Sequence, residues 1–236
     1  MAIKAVLFDL DGTLLPVDTS LFLKTYFGLL AKKMAANGYD PAHFTKALFA
    51  GTDAMMKNDG TVTNEQLFWR VFGSFYAEGE MPPIALFDEF YEKDFPLTRT
   101  VCQADARPRA IVDAVKAKGL PVVLATAPGF PVVAAETRMG YSGLVPSDFV
   151  LCTTFENSSY FKPNEAYYLD IAKRIGCDPT ECLMVGNDVD DDIVPAMAIG
   201  MKTFLLTEYL INKKDADIRA YEHGGYDELL RYVEGL

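Results

Sequence analysis

Two carboxylates two residues apart end an apolar run near the start of the chain. The segment FDLDGTLL spans Phe8–Leu15 and presents Asp9 and Asp11, then Gly12 and Thr13. Acids this close repel each other unless a cation or a shared proton relieves them. One of the pair can bind a metal and attack as a nucleophile, while the other shuttles a proton. Gly12 lets the chain turn and brings backbone N–H groups close to an anion. An Asp-Gly turn alone marks only the end of a strand. Asp-x-Asp-Gly-Thr directly after an apolar strand points to chemistry. A second acidic group follows MVG late in the chain: Asn187, Asp188, Asp190, Asp191 and Asp192. Acids favour helix N-termini, but capping does not require four carboxylates in five positions, and their mutual repulsion suits a cation.

The elements that must position these groups show two textures. Short apolar runs at Ile3–Phe8, Pro121–Ala125, Phe149–Thr153, Cys182–Val185 and Thr203–Leu206 read as strands covered on both faces, as in a parallel sheet. Helical patterns lie between them: Arg107–Lys118 before Gly119, Pro131–Met139 before Gly140, Glu165–Ile175 before Gly176, and Asp191–Ile199 before Gly200. Each glycine is a candidate helix stop. Strict alternation predicts a doubly wound α/β core, whose ligands bind at the carboxyl ends of the strands. Pro16–Ala104 differs. Leu21–Ala36 carries apolar residues at helical spacing, Asp40-Pro41 opens a second helix, and Thr63-x-x-Gln66 is a capping box for a third. Pro82-Pro83 leads into a fourth. Residues 16–104 therefore read as an all-helical insert, and 1–15 with 105–236 as the α/β core. The aromatic faces with Trp69, Phe72 and Phe75 read as the insert's own core.

Composition narrows the partners. Half of the 236 residues are hydrophobic, and 33 acids against 22 bases give a net charge of −11. Such a chain does not condense on nucleic acid or an anionic membrane through its overall field, so any phosphate site must be local. The opening MAIKAVLFDLDG has neither a secretory pattern nor a cleavage site. The most apolar stretch, Leu120–Ala135, is broken by Pro121, Pro128 and Pro131 and is too short to span a bilayer. Cys102, Cys152, Cys177 and Cys182 form no CxxC pair, which fits reduced core residues and predicts a cytoplasmic protein. His43 and His223 lie outside every motif and read as surface or helix-end residues, and Arg107 and Arg109 read as a solvated helix face.

FDLDGTLL resembles the first motif of the haloacid dehalogenase-like (HAD) superfamily, and three further motifs follow in order. VVLAT supplies a strand ending in Thr126, FKP supplies Lys162, and MVGNDVDDDIVPAMAIGM supplies the acidic fourth motif. The resemblance covers Met1–Pro16 and Asp105–Thr207, with the insert where that superfamily places its first-type cap. It implies a Rossmann-like core and an all-helical cap after the first strand. It also implies roles: Asp9 as nucleophile on a phosphate monoester, and Asp11 as the acid and base. Lys162 would hold Asp9 and the phosphate, and Gly12, Thr13, Thr126 and Ala127 would line the substrate site. Mg²⁺ would bridge Asp9, the backbone carbonyl of Asp11 and the fourth motif.

Two departures stand out. Ala127 occupies a position that is often Asn, and Asn187 falls where the usual metal-ligating Asp sits. The expectation is that Asp188 carries the metal, with Asn187 as a neutral helper and Asp192 orienting Lys162 or a metal-bound water; Asn187 as the direct ligand stays open. The resemblance thus implies a Mg²⁺-dependent phosphatase acting on a small phosphorylated metabolite. A phosphomutase remains an alternative, as does a phosphonate hydrolase using a cap lysine among Lys24, Lys32, Lys33, Lys46 and Lys57. Asp11 argues against a dehalogenase, which needs no proton donor at that position. A non-catalytic binding protein on the same fold has only Asn187 and Ala127 in its favour. The sequence names neither the substrate nor the oligomeric state.

Overall fold

A computed structural model describes residues 2–236. Its centre is β1 (Ala5–Phe8), every residue of which is buried. β1 pairs in parallel with β2 (Val122–Leu124) on one side and β4 (Cys182–Gly186) on the other. β3 (Leu151–Cys152) joins β2, while β5 (Lys202–Leu206) and β6 (His223–Gly224) extend beyond β4, giving the order β3-β2-β1-β4-β5-β6. The sheet is parallel throughout. Near-continuous apolar strands are what helices on both faces demand. Because the strand order reverses between β1 and β4, the carboxyl ends of these two strands flank the crevice where such sheets bind ligands.

The first three strands are shorter than their apolar runs, most of all β3, which keeps two residues of Phe149–Thr153, while β4 and β5 each extend one residue beyond theirs. Edge strand β6 has no apolar run to announce it. The helix that follows, α9 (Tyr226–Glu234), buries Tyr226, Leu229 and Val233 on one stripe, a helical spacing overlooked in the sequence. α5 (Arg107–Ala117) and α7 (Glu165–Ile175) end as expected, with Gly119 and Gly176 at positive φ. Two ends differ. α6 (Val132–Tyr141) runs through Gly140 and is followed by Gly143 at φ +69° instead. The helix expected over Asp191–Ile199 splits into a wide π-type turn, Val189–Ile193, and a short α8 (Val194–Ala198). Asp188 sets up that turn by accepting N–H bonds from both Asp190 and Asp191. Such turns gather at functional sites.

Between β1 and α5 every regular element is helical: α1 (Thr19–Ala36), α2 (Pro41–Met56), α3 (Asn64–Gly73) and α4 (Ile84–Glu89), then a π turn (Phe90–Asp94) and a 3₁₀ stretch (Phe95–Val101). Asp18, Asp40 and Thr63 cap the first three through their side chains, and Thr63 with Gln66 forms the reciprocal box. Phe72 is fully buried against Phe44 and Phe87, as a core residue should be. Trp69 packs against Phe68, Phe72 and Phe87 as expected, and it also borders a cavity. Among the described residues no helix is long and apolar enough to cross a membrane. The four cysteines are free, and burial pushes the Cys102 and Cys152 thiols up to about 11 and Cys182 to about 12.

Arg109 belongs to the structure of the core. Together with Lys116 it binds the buried carboxylate of Asp148, each at 2.5 Å, and Asp148 also accepts the N–H of Val145. Burial alone would raise this carboxyl, but these three donors win and hold it at about 2, below the ordinary 3.8. A carboxyl depressed by folding stabilises the fold above its unfolded value, and the contribution fades as pH falls through the folded one. Asp148→Asn should therefore cost about 2 kcal/mol at neutral pH. In urea unfolding, its deficit against wild type should shrink as pH drops from 3.8 towards 2.

Candidate active site

The site grows from the end of β1. The N–H of Asp9 donates to Val185 O at 2.9 Å, and Ala125 N donates to Phe8 O at 2.7 Å. The neighbouring strands thus fix Asp9 at the sheet's carboxyl edge. The chain then folds back on itself: Gly12 N donates to Leu15 O, and Thr13 N to Leu10 O. Gly12 has φ +86°, and a Cβ there would lie 2.3 Å from Asn187 Nδ2, so both conformation and space require glycine. Thr13 Oγ1 sits 3.4 Å from Asp9 Oδ2 and 3.2 Å from Asn187 Oδ1.

Lys162 is the hub. It is 3% exposed, and its Nζ lies 2.8 Å from Asp9 Oδ1 and 2.6 Å from Asp192 Oδ1. The other Asp192 oxygen accepts the N–H of Asp188 at 3.1 Å. Gly186 makes this possible, since a Cβ there would meet Asp192 Oδ2 at 2.2 Å. Residues from three distant stretches of sequence, Asp9, Lys162 and Asp192, so form one buried chain of charge. Burial lowers the ammonium of Lys162, but Asp192 and Asp9 override it and hold it well above its ordinary value. Asp192 is raised by burial, with Lys162 pulling the other way. Asp11 is raised by burial and by Asp9, against the opposing pull of Arg138.

The other expected residues fall around this hub. Thr126 is buried two residues past the end of the Phe8–Leu124 pairing, and its carbonyl accepts from Thr153 Oγ1 and Tyr167 Oη. Asp11, Ala127 and Asp188 line one cavity, and Asn187 is not part of its wall. Asn187 acts as a strut, its Nδ2 donating to Tyr209 O at 2.6 Å while its oxygen faces Thr13. Asp188 Oδ1 is committed to the π turn, and Oδ2 lies 3.4 Å from Lys213 Nζ. Among the described residues no three His, Cys, Asp or Glu side chains gather as a metal cluster. An ion here would therefore also have to draw on oxygens of other kinds, such as the Asp11 carbonyl. Lys24, Lys32, Lys33, Lys46 and Lys57 do not line the cavity.

A family model described as haloacid dehalogenase-like hydrolase matches residues 3–200. The chain belongs to that family. Among solved structures, this HAD-like hydrolase resembles a HAD phosphatase from Thermococcus onnurineus at 18% identity over 99% of both chains, TM-score 0.61. It also resembles a 2-haloacid dehalogenase from Pseudomonas syringae pv. Tomato at 19% identity, covering 99% of this chain and 98% of that one, TM-score 0.63. A third likeness is to YfnB from Bacillus subtilis, bound to magnesium, at 15% identity over the whole of both chains, TM-score 0.58. At these identities the likeness concerns the fold. No curated protein matches the chain.

One residue of the hydrolase's site went unread in the sequence. Arg138, on α6, is fully buried, and its Nη1 pairs with Asp11 Oδ2. Its Nε donates to Ala134 O, and the guanidinium stacks 4.3 Å from the Phe130 ring centroid. Buried Asp11 Oδ1 and Arg138 Nη2 have no partner among the described residues. The signal was available: Arg138 lies on the buried stripe Ala134, Ala135, Arg138, Met139, where an unpaired charge is not tolerated. Arg138→Met should lower kcat about tenfold or more with a smaller change in KM, because it frees the Asp11 carboxylate without touching the Asp9–Lys162 pair. Steady-state kinetics checks the split.

Proposed function

We propose that this HAD-like hydrolase is a Mg²⁺-dependent phosphatase acting through an aspartyl-phosphate. The observation that carries the reading is the buried Lys162 shared by Asp9 and Asp192, with Asp11 two residues beyond Asp9 on the cavity wall. An Asp9 carboxylate oxygen attacks phosphorus as the P–O bond to the leaving alcohol breaks, and Asp11 gives that alcohol its proton. Water then attacks the phosphorus, Asp11 takes a proton from it, and the bond to Asp9 breaks to release phosphate. Lys162 holds the nucleophile and the phosphate as a fixed positive charge, while the Thr126 hydroxyl binds a phosphoryl oxygen. A dehalogenase reading shares Asp9 and Lys162 but gives Asp11 no task.

The donors suit Mg²⁺. Asp9 and Asp192 share Lys162, Asp11 pairs with Arg138, and among the described residues Asp188 and Asp190 have only the exposed Lys213 and Lys214, so carboxylates outnumber cations. A hard, all-oxygen donor set with surplus negative charge fits a small divalent ion. The residues that would hold it are Asp9, the Asp11 carbonyl and Asp188, since the Asn187 amide is engaged with Tyr209 O and the Thr13 hydroxyl. Asp192 then serves by fixing Lys162. What a bound Mg²⁺ supplies is neutralisation between the carboxylate and the phosphate.

Residues 16–104 act in this reading as a cap over a core of 1–15 and 105–236, choosing the leaving group of a small phosphate ester. The four free cysteines fit a cytoplasmic setting. Phosphate release from an aryl phosphate with Mg²⁺ tests the proposal. We expect turnover that chelation reduces at least about a hundredfold and that Mg²⁺ restores. Turnover indifferent to chelation would sink the metal assignment.

A further inference from the structure

Between the helical segment and the carboxyl edge of the sheet lies a cavity of about 560 Å³, a size suited to a small organic ligand. Its acidic end is formed by Asp11, Asp188 and Asp191, with Lys213 beside them. The rest is hydrocarbon. Phe27, Leu30, Trp69 and Phe130 are typical of the walls, and the helical segment contributes no charged side chain to them. The hydroxyls in that wall are few, and most already make a bond within the protein. Tyr26 and Tyr91 bond each other at 3.0 Å, Thr52 donates to Leu48 O at 3.0 Å, and Thr19 donates to Asp11 O. The remaining one belongs to Ser20, an exposed residue.

A sugar, amino-acid or carboxylate leaving group would bring many polar groups into a space whose far walls offer only a few hydroxyls to receive them, at a cost of roughly 1–3 kcal/mol for each one left unpaired. A hydrocarbon group would bury its surface against aromatic rings at no such cost. We propose that the substrate is the phosphate monoester of a bulky hydrocarbon alcohol or phenol, its phosphate at the end lined by Asp11 and its hydrocarbon part among the aromatic walls. This inference rests on the phosphatase reading for the reaction, and on the cavity alone for the ligand class.

The chain has a single tryptophan, and Trp69 lines the cavity, so binding can be read without turnover. In wild-type protein without divalent metal, octyl phosphate should shift Trp69 emission saturably, and glycerol phosphate should not. With Mg²⁺, kcat/KM for octyl or naphthyl phosphate should exceed that for glycerol or glucose phosphate by about a hundredfold. Phe27→Asn, a half-buried position, should narrow that preference about tenfold. No saturable response to octyl phosphate, or equal turnover of the polar esters, overturns the ligand class while leaving the phosphatase reading intact. A saturable response with no phosphate release from any ester supports the pocket and removes the phosphatase reading.

Discussion

Asp9→Asn is expected to reduce phosphate release at least about a thousandfold while leaving the fold in place. An amide has no anionic oxygen to attack phosphorus, so the covalent route is lost entirely. The substitution keeps the shape of the side chain and an oxygen within reach of Lys162, which now lies 2.8 Å from Asp9. Lys162 also retains Asp192 at 2.6 Å, so its charge is not orphaned. Circular dichroism and urea unfolding should therefore resemble wild type, while kcat collapses. A loss of activity accompanied by an equal loss of folded protein would mean only that Asp9 is structural.

Lys162→Met should be damaging in both respects. Removing one member of a buried ion pair leaves the others uncompensated, a cost of about 3–5 kcal/mol. Here two carboxylates, Asp9 and Asp192, lose their shared partner in a site where Lys162 is 3% exposed. Activity should fall at least about a hundredfold as well, because the fixed charge facing the phosphate is gone. The double variant Lys162→Met with Asp192→Asn separates the two effects. Neutralising Asp192 should recover a substantial part of the lost stability and none of the activity. Denaturant midpoints measure the first and initial rates the second. If the double variant regained activity, Lys162 would be a structural counter-ion and no more.

Much of this site was legible in the chain because its chemistry is concentrated in short, local patterns. Asp9, Asp11 and Gly12 share one turn, and the acids from Asp188 to Asp192 share another. Their positions at strand ends followed from the apolar runs before them. Lys162 needed order along the chain, since nothing in its own neighbourhood places a loop lysine between two buried carboxylates. The anchoring of the Asn187 amide was not legible. It depends on Tyr209 O, 2.6 Å from Asn187 Nδ2, in a segment beyond β5 that carries no motif. Arg138 was missed because its role arises only when α6 packs its buried stripe towards Asp11. The cavity escaped notice for the opposite reason. Aromatic side chains at helical spacing look alike whether they only meet one another, as Phe72 meets Phe44 and Phe87, or also border an open space, as Trp69 does.

The most direct test of the whole account is to look for the covalent species itself. Wild-type protein, mixed with Mg²⁺ and an aryl phosphate and quenched rapidly in acid, should carry one phosphoryl group on the peptide containing Asp9, and Asp9→Asn should carry none. Steady phosphate release with no such adduct, or an adduct on a different residue, would contradict it.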